Sequence, residues 1–172
     1  MLSRIVIPAL VAFSAVFSSG FADIYYTISY HEDPYHKIQV EPLKGWSVDD
    51  DGDQPFDYKF VNESENKTFY IFTNLEDEDI SQSDLTVGTD QIIEGFYGDK
   101  TKSNHRISFS PNQFWHSFDV IEQGVPLSVG IVVYSIDHYL FGVVLESRNG
   151  QDSLIKDCNA MLQNILLITL NR

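Results

Sequence analysis

The chain has 172 residues, with 25 acidic and 11 basic side chains, and its formal net charge is −14 at pH 7. A surface of this sign repels nucleic acid and anionic lipid, so we expect neither as a partner. The same charge permits a cationic protein partner, peptide or metal ion without requiring one. Cys158 is the single cysteine, which excludes a disulfide within the chain.

The N-terminus has the pattern of a secretory signal peptide over residues 1–22. Arg4 supplies the positive region, Ile5 to Phe17 is apolar, and a run of small residues ends at Ala22. The apolar run is too short to span a bilayer. We therefore expect cleavage after Ala22, a secreted or periplasmic location with no stable membrane anchor, and a single domain over residues 23–172.

Alternating apolar and polar residues predict four strands in the first half of the chain. These strands cover residues 23–30, 37–41, 56–61 and 68–74. The segments between them are predicted as turns at Pro42 to Trp46 and at Asn62 to Lys67, and as a polar, acidic loop at Ser47 to Gln54. This half of the chain therefore contributes strands and loops.

The middle of the chain contains the first predicted helix, residues 84–97. Its apolar side chains are Ile92, Ile93, Phe96 and Tyr97, and Gly98 ends the pattern. The flanking segments 75–83 and 99–106 are polar and are predicted as loops. Two further strands are predicted at 107–109 and 114–121.

The last part of the chain predicts two adjacent strands and a helix that packs on them. Leu127 to Tyr134 and Tyr139 to Glu146 carry apolar residues on both faces, so both strands are expected inside a sheet that is covered on two sides. Asp152 or Ser153 is the expected helix cap. The predicted helix presents one apolar face, made of Leu154, Ile155, Cys158, Met161, Leu162, Ile165 and Leu166. On that face Cys158 is expected to be a buried, unreactive thiol.

Together these elements predict an α+β fold, in which helices flank an antiparallel β-sheet as an α/β/α sandwich and the C-terminal amphipathic helix packs on the sheet. The order of motifs resembles the PsbP/Mog1-like superfamily over residues 36–168. The resemblance rests on Pro42 before Gly45-Trp46, then FWHSFDV, SVGIVVY, YLFGVVLES and a closing helix. It implies an α/β/α sandwich with a non-catalytic accessory role, and it supplies no functional residue.

The acidic loop is the candidate metal site. Its carboxylates Asp49, Asp51 and Asp53 are hard oxygen ligands of the kind that Ca²⁺ prefers. The EF-hand pattern fails, because Ser47 occupies the first ligand position and Tyr58 stands where the bidentate glutamate is needed. An irregular Ca²⁺ site and an ordinary solvent loop both remain open.

Histidines and possible nucleophiles are scattered along the chain. His31, Glu32, Asp33 and His36 could converge on an ion only if their loop folds back. His116 and Asp119 are predicted on opposite faces of their strand, which is a poor arrangement for a catalytic dyad. The sequence contains neither a nucleophile elbow nor a glycine-rich phosphate loop.

These observations predict an exported, non-enzymatic accessory domain that binds another protein and has no catalytic residue or cofactor. The acidic surface would be its charged face. One alternative is a carrier of a small apolar ligand, since the chain has 12 Phe, 9 Tyr and 2 Trp residues, or a Ca²⁺-binding module. A hydrolase is the second alternative.

Overall fold

The computed structural model describes residues 26–30, 32–49, 56–76 and 79–170. The predicted signal peptide, residues 1–22 with its cleavage site, lies outside these residues, as do Asp51 and Asp53 of the acidic loop. Among the helices of the described ranges, none combines the length and apolar character that crossing a membrane requires.

Strands dominate the described chain. In order they are β1 (Tyr26–Ile28), β2 (His36–Val40), β3 (Ser47–Val48), β4 (Tyr58–Asn62), β5 (Lys67–Leu75), β6 (Lys102–Ser110), β7 (Gln113–Glu122), β8 (Val125–Ile136), β9 (Tyr139–Ser147) and β10 (Ile165–Thr169). Helix α1 (Gln82–Tyr97) separates β5 from β6, helix α2 (Gln151–Leu162) separates β9 from β10, and a 3-10 helix (Glu63–Glu65) connects β4 to β5.

The strands form two antiparallel sheets. The large sheet has seven strands in the order β3-β4-β5-β9-β8-β7-β6, and the small sheet has three in the order β1-β2-β10. Strands β8 and β9 lie inside the large sheet, as their two-sided apolar pattern predicted. Each is hydrogen-bonded on both sides, so the centre of the sheet is built from the least polar strands of the chain.

The two faces of the large sheet have separate cores. On one face the alternate residues Leu127, Val129, Ile131 and Val133 of β8 pack with Leu85 and Tyr97 of α1. On the other face Tyr139, Phe141, Val143 and Leu145 of β9 pack with Leu154, Cys158 and Met161 of α2 and with Ile38, Val40 and Ile165 of the small sheet. The fold is therefore the predicted α+β sandwich, with α1 on one side of the sheet and α2 beside the small sheet on the other.

Two glycines let neighbouring side chains pack closely on the central strands. A Cβ atom on Gly142 of β9 would lie 2.8 Å from Cδ1 of Ile92 in α1. A Cβ atom on Gly130 of β8 would lie 2.7 Å from the Trp115 ring of β7. A side chain at either position would force Ile92 or Trp115 to move, because heavy atoms in contact need more than 3 Å.

The C-terminal helix is shorter than predicted. It ends at Leu162, and the predicted helical positions Ile165 and Leu166 belong to β10, where they pair with Val40 and Gln39 of β2. The predicted side-chain cap is also wrong. Gly150, with φ of 87°, is the N-cap, and no side chain caps the helix there.

The prediction of a polar loop at residues 99–106 is also wrong from residue 102 onward. Strand β6 begins at Lys102 and includes the predicted strand 107–109. The register of β6 against β7 shifts between Ser103 and Arg106. The acidic loop predicted from Ser47 likewise begins with the short strand β3.

Candidate functional site

Of the three candidate ligands in the acidic loop, only Asp49 lies in the described residues. Its carboxylate lies 2.5 Å from the ammonium group of Lys59 on β4. In the described ranges no three His, Cys, Asp or Glu side chains are placed to hold a metal ion. Asp49 directly follows β3, and the ammonium group of Lys59 compensates its charge there.

Two of the possible ion ligands near the N-terminus, Asp33 and His36, take part in a hydrogen-bond network, and His31 lies outside the described residues. The Asp33 carboxylate accepts hydrogen bonds from the buried Tyr139 hydroxyl at 2.8 Å and from the His36 ring at 2.8 Å. Partial burial alone would raise the pKa of Asp33, but these hydrogen bonds hold it below its usual value. The network attaches the loop before β2 to the start of β9.

His116 and Asp119 lie on opposite faces of β7, as predicted. The His116 Nε2 atom is 3.0 Å from Nδ1 of His105 on β6. Burial first, and then the neighbouring His105, lower the pKa of His116. Asp119 accepts hydrogen bonds from Ser128 at 2.6 Å and from Asn104 at 2.7 Å on the other face. The two side chains therefore cannot act together as an acid–base pair.

A polar cleft of about 390 Å³ lies where α2 begins, with Asp119 in its wall. The buried Gln151 amide donates to the Asn104 carbonyl at 2.9 Å and accepts from the Ser117 hydroxyl at 3.0 Å. Partial burial would raise the pKa of Asp119, but its hydrogen bonds lower it. The polar side chains of this wall bind one another, and so they fix the start of α2 against β6 and β7.

A second cleft, of about 270 Å³, contains a half-buried carboxylate that the sequence analysis did not identify. Glu146 of β9 accepts hydrogen bonds from the hydroxyls of Tyr97 at 2.5 Å and Tyr70 at 3.3 Å. Burial is the main cause that raises the pKa of Glu146. Nearby, Glu122 is 2.9 Å from the ammonium group of Lys100. The only sequence signal was a single glutamate at the end of an otherwise apolar strand.

Neither cleft matches the predicted apolar carrier. Ligand pockets for apolar molecules are lined mainly by hydrophobic and aromatic side chains. These two clefts are lined mostly by charged and amide side chains. Several described aromatic side chains pack against one another instead, such as Trp46 on Phe69 with ring centroids 6.3 Å apart.

Strand β6 is the long open edge of the large sheet. It pairs with β7 on one side, and no strand of the described ranges pairs with its other side. Nine residues long, it contrasts with the opposite edge strand β3, which has two. Long open edges are uncommon in natural sheets, because their free backbone groups invite pairing with another chain.

The β6 edge carries exposed apolar side chains. Ile107 is 53% exposed and Phe109 is 59% exposed. Both lie on the α1 side of the sheet, because Ile107 pairs with His116 and Phe109 with Phe114. Helices α1 and α2 pack mainly on β7, β8 and β9, so they leave this strip uncovered.

The comparisons with known proteins give structural neighbours alone. No family model matches the sequence, and no curated protein matches it. The chain is similar to cyanobacterial PsbP (CyanoP) from Synechocystis sp. PCC 6803, with a TM-score of 0.50, 13% identity, and coverage of 90% of this chain and 98% of that one.

Two further solved structures are similar. LpqN of Mycobacterium tuberculosis has a TM-score of 0.50 and 12% identity, and the match covers 86% of this chain and 91% of that one. The Ran-binding protein Mog1p of Saccharomyces cerevisiae has a TM-score of 0.48 and 9% identity over 84% of this chain and 96% of that one. The chain therefore has the PsbP/Mog1-like fold, as the order of its motifs predicted.

Proposed function

We propose that the protein is an exported, non-catalytic binding module that holds another protein at the open edge of its large sheet. The observation that supports this proposal is strand β6. It is a nine-residue edge strand on which Ile107 and Phe109 are exposed beside backbone groups that no described strand pairs with. Exposed apolar side chains next to an unpaired edge favour strand-mediated association.

A non-catalytic role is supported by how the polar residues are used. His116 faces His105, Asp119 faces Ser128, and Glu146 faces two tyrosine hydroxyls. Nucleophilic catalysis needs a nucleophile and a base that contact each other and open to a substrate. The thiol of Cys158 is buried, and burial raises its pKa well above the usual value, so it is a poor nucleophile.

An exported location is supported by the signal-peptide pattern that ends at Ala22. The structural neighbour LpqN is described as involved in cell envelope biogenesis. The mature chain would begin at Asp23, and the intact mass of the protein recovered from its native compartment tests this directly. A mass that includes residues 1–22 would contradict export with cleavage.

Site-specific crosslinking in the native host tests partner binding. A photo-crosslinking residue replaces exposed Ser108 on β6, and the control carries it at exposed Gln91 on α1. We expect a discrete crosslinked protein from position 108 and none from position 91. High salt should weaken the crosslink if charged groups contribute to the contact. The absence of any crosslinked protein at position 108 would contradict the proposal.

A further inference from the structure

We infer that His105 of β6 and His116 of β7 together bind a divalent transition-metal ion of the Zn²⁺ class, each through one imidazole nitrogen. The ion would lie on the α1 side of the large sheet, beside its open edge. Its binding would need only these two strands and is independent of any protein partner.

The two histidine rings already have nearly the separation that a shared ion requires. Nδ1 of His105 lies 3.0 Å from Nε2 of His116, and the ring centroids are 5.2 Å apart. In a tetrahedral site with metal–nitrogen bonds of about 2.0 to 2.1 Å, two imidazole nitrogens are separated by about 3.3 Å. The His105 side chain is exposed. A rotation of its ring with a small shift would therefore aim both nitrogens at one ion.

A β-bulge in β6 brings the two histidines together. The register of β6 against β7 shifts between Ser103 and Arg106. Asn104 and His105 therefore stand together opposite Phe118, and the His105 ring lies 5.8 Å from the Phe118 ring. Asn104 has φ of 53°, in the left-handed region that asparagine enters more readily than most residues. Bulges of this kind re-aim a side chain and are frequent next to functional sites.

Aromatic neighbours hold the second histidine in place. The half-buried His116 ring lies edge-on to Phe118, with centroids 5.5 Å apart, and to Phe114, with centroids 6.4 Å apart. A ligand that packing has already oriented loses less conformational freedom when it binds. His116 would therefore be the fixed ligand, and the exposed His105 would be the one that adjusts.

The charges around the pair favour a cation that imidazole can bind. Burial and then His105 lower the pKa of His116, and the Asp90 carboxylate on α1 opposes them, so negative charge acts on the pair. Lys102, a basic residue of β6, donates instead to the Lys100 carbonyl at 3.1 Å. Imidazole nitrogen suits Zn²⁺, Cu²⁺ and Ni²⁺, whereas Ca²⁺ and Mg²⁺ prefer oxygen. The site would therefore select transition metals.

Two protein ligands make this an open site. In the described ranges no third His, Cys, Asp or Glu side chain converges with a pair of others on one ion, so water would fill the remaining positions. The ion would link β6 to β7 at the bulge, where the pairing of the two strands is interrupted. Binding should therefore stabilise the edge strand as well as occupy the histidines.

Calorimetric titration with Zn²⁺, in a buffer that contains excess Ca²⁺, tests the inference. Ca²⁺ prefers oxygen ligands, so it occupies the exposed carboxylates of this acidic chain and leaves the imidazoles free. We expect Zn²⁺ to bind under these conditions. In NMR spectra the ring signals of His105 and His116 should shift together, and those of His138 should stay in place.

Histidine variants provide the matched comparison. His105→Ala removes one ligand at an exposed position, so the fold should be retained. Loss of an outer-shell partner typically weakens metal binding about 10- to 100-fold, so loss of a ligand should weaken Zn²⁺ binding by at least about 10-fold. His138→Ala, at a side chain that is 55% exposed between β8 and β9, should leave the affinity unchanged. Zn²⁺ should raise the melting temperature of wild type more than that of His105→Ala, because an ion that binds the folded chain stabilises it.

Three results would overturn the inference. The first is wild-type Zn²⁺ affinity in His105→Ala, or Zn²⁺ binding that leaves the ring signals of His105 and His116 in place. The second is an equal loss of affinity in His138→Ala, which would assign the ion to other histidines. The third is no Zn²⁺ binding in the presence of Ca²⁺, which would leave the contact between the two rings as an ordinary hydrogen bond. The crosslinking at position 108 measures partner binding separately from all three.

Discussion

The Glu146 side chain shows how one half-buried carboxylate depends on its donors. Two tyrosine hydroxyls, from Tyr97 and Tyr70, point at it from the α1 side of the sheet. Burial raises its pKa, the Tyr97 hydrogen bond lowers it, and the nearby Glu122 raises it again. The net shift is upward, so the ionised form is less stable in the folded protein than in the unfolded chain.

This shift predicts a pH dependence of stability. A glutamate with a raised folded pKa stabilises the fold while it is protonated, and this contribution is lost as the pH rises from its unfolded value of about 4.3 through the folded pKa. Glu146→Gln keeps an acceptor for the tyrosine hydroxyls and cannot ionise. We therefore expect the variant to unfold at a higher temperature than wild type at pH 7, with a difference that disappears near pH 4.

Thermal unfolding across this pH range measures the effect. Glu94→Gln is the matched control, because Glu94 lies exposed on α1. The difference in melting temperature between this variant and wild type should be the same at every pH. A Glu146→Gln variant that is less stable than wild type at pH 7 would show that the carboxylate charge itself stabilises the fold.

At the scale of elements, Lys67 connects β5 to α2. Its ammonium group lies 2.5 Å from the carboxylates of Glu65 and Asp157, and its side chain is only 6% exposed. Burial alone would lower the pKa of Lys67, but the two carboxylates raise it. The Lys67 side chain therefore stays charged, and its contact with Asp157 ties α2 to the start of β5 in the large sheet.

Lys67→Met should destabilise the protein by about 1 to 3 kcal/mol, because the change keeps the apolar stem but leaves Asp157 without its buried cation. The same substitution at Lys156, which is exposed on the same helix, should change stability by less than about 0.5 kcal/mol. Chemical denaturation of both variants gives the comparison. Equal free energies of unfolding for the two would mean that the ion pairs of Lys67 contribute nothing net.

Pattern alone located both helices and most of the strands, and it missed β3, most of β6 and β10. Strands β8 and β9 are apolar on both faces, and only the inside of a covered sheet suits that pattern. Strand β6 is exposed on both faces at its start, so its polar residues resembled a loop. At β10, Ile165 and Leu166 continue the helical spacing of α2, and pairing with β2 overrides that local preference.

The open edge at β6 was missed because it also depends on the assembled fold and not on local sequence. An open edge is a property of the assembled sheet, and no local sequence pattern records that a strand has a neighbour on one side only. A usable signal was the Ile107 and Phe109 alternation after a run of basic and polar residues. The cluster around Glu146 likewise depends on Tyr97 and Tyr70, which come from distant parts of the chain.

At the scale of the whole molecule, the small sheet joins the two ends of the described chain. Strand β2 lies between β1 and β10, and Ile165 pairs with Val40 from the other end of the sequence. Ile38, Val40 and Ile165 belong to the same core as Leu154 and Met161 of α2. The core on the α2 side of the large sheet is therefore complete only when β10 pairs with β2.

Ending the chain at Asn164 should therefore destabilise the whole molecule. Without β10, one edge of β2 loses its hydrogen-bonding partner and the core around Ile38 opens to water. We expect the truncated chain to lose its cooperative thermal transition, and the β2 amides to exchange with solvent rapidly.

Point substitutions keep this prediction testable if the truncated chain does not fold. Ile165→Ala, at a side chain that is 4% exposed, should cost about 2 to 4 kcal/mol. Leu166→Ala, at the neighbouring side chain that is 45% exposed, should cost less than about 1 kcal/mol, because this side chain points away from the core. If both variants melted like wild type, β10 would be a surface strand that contributes little, and the α2 side would be stable without it.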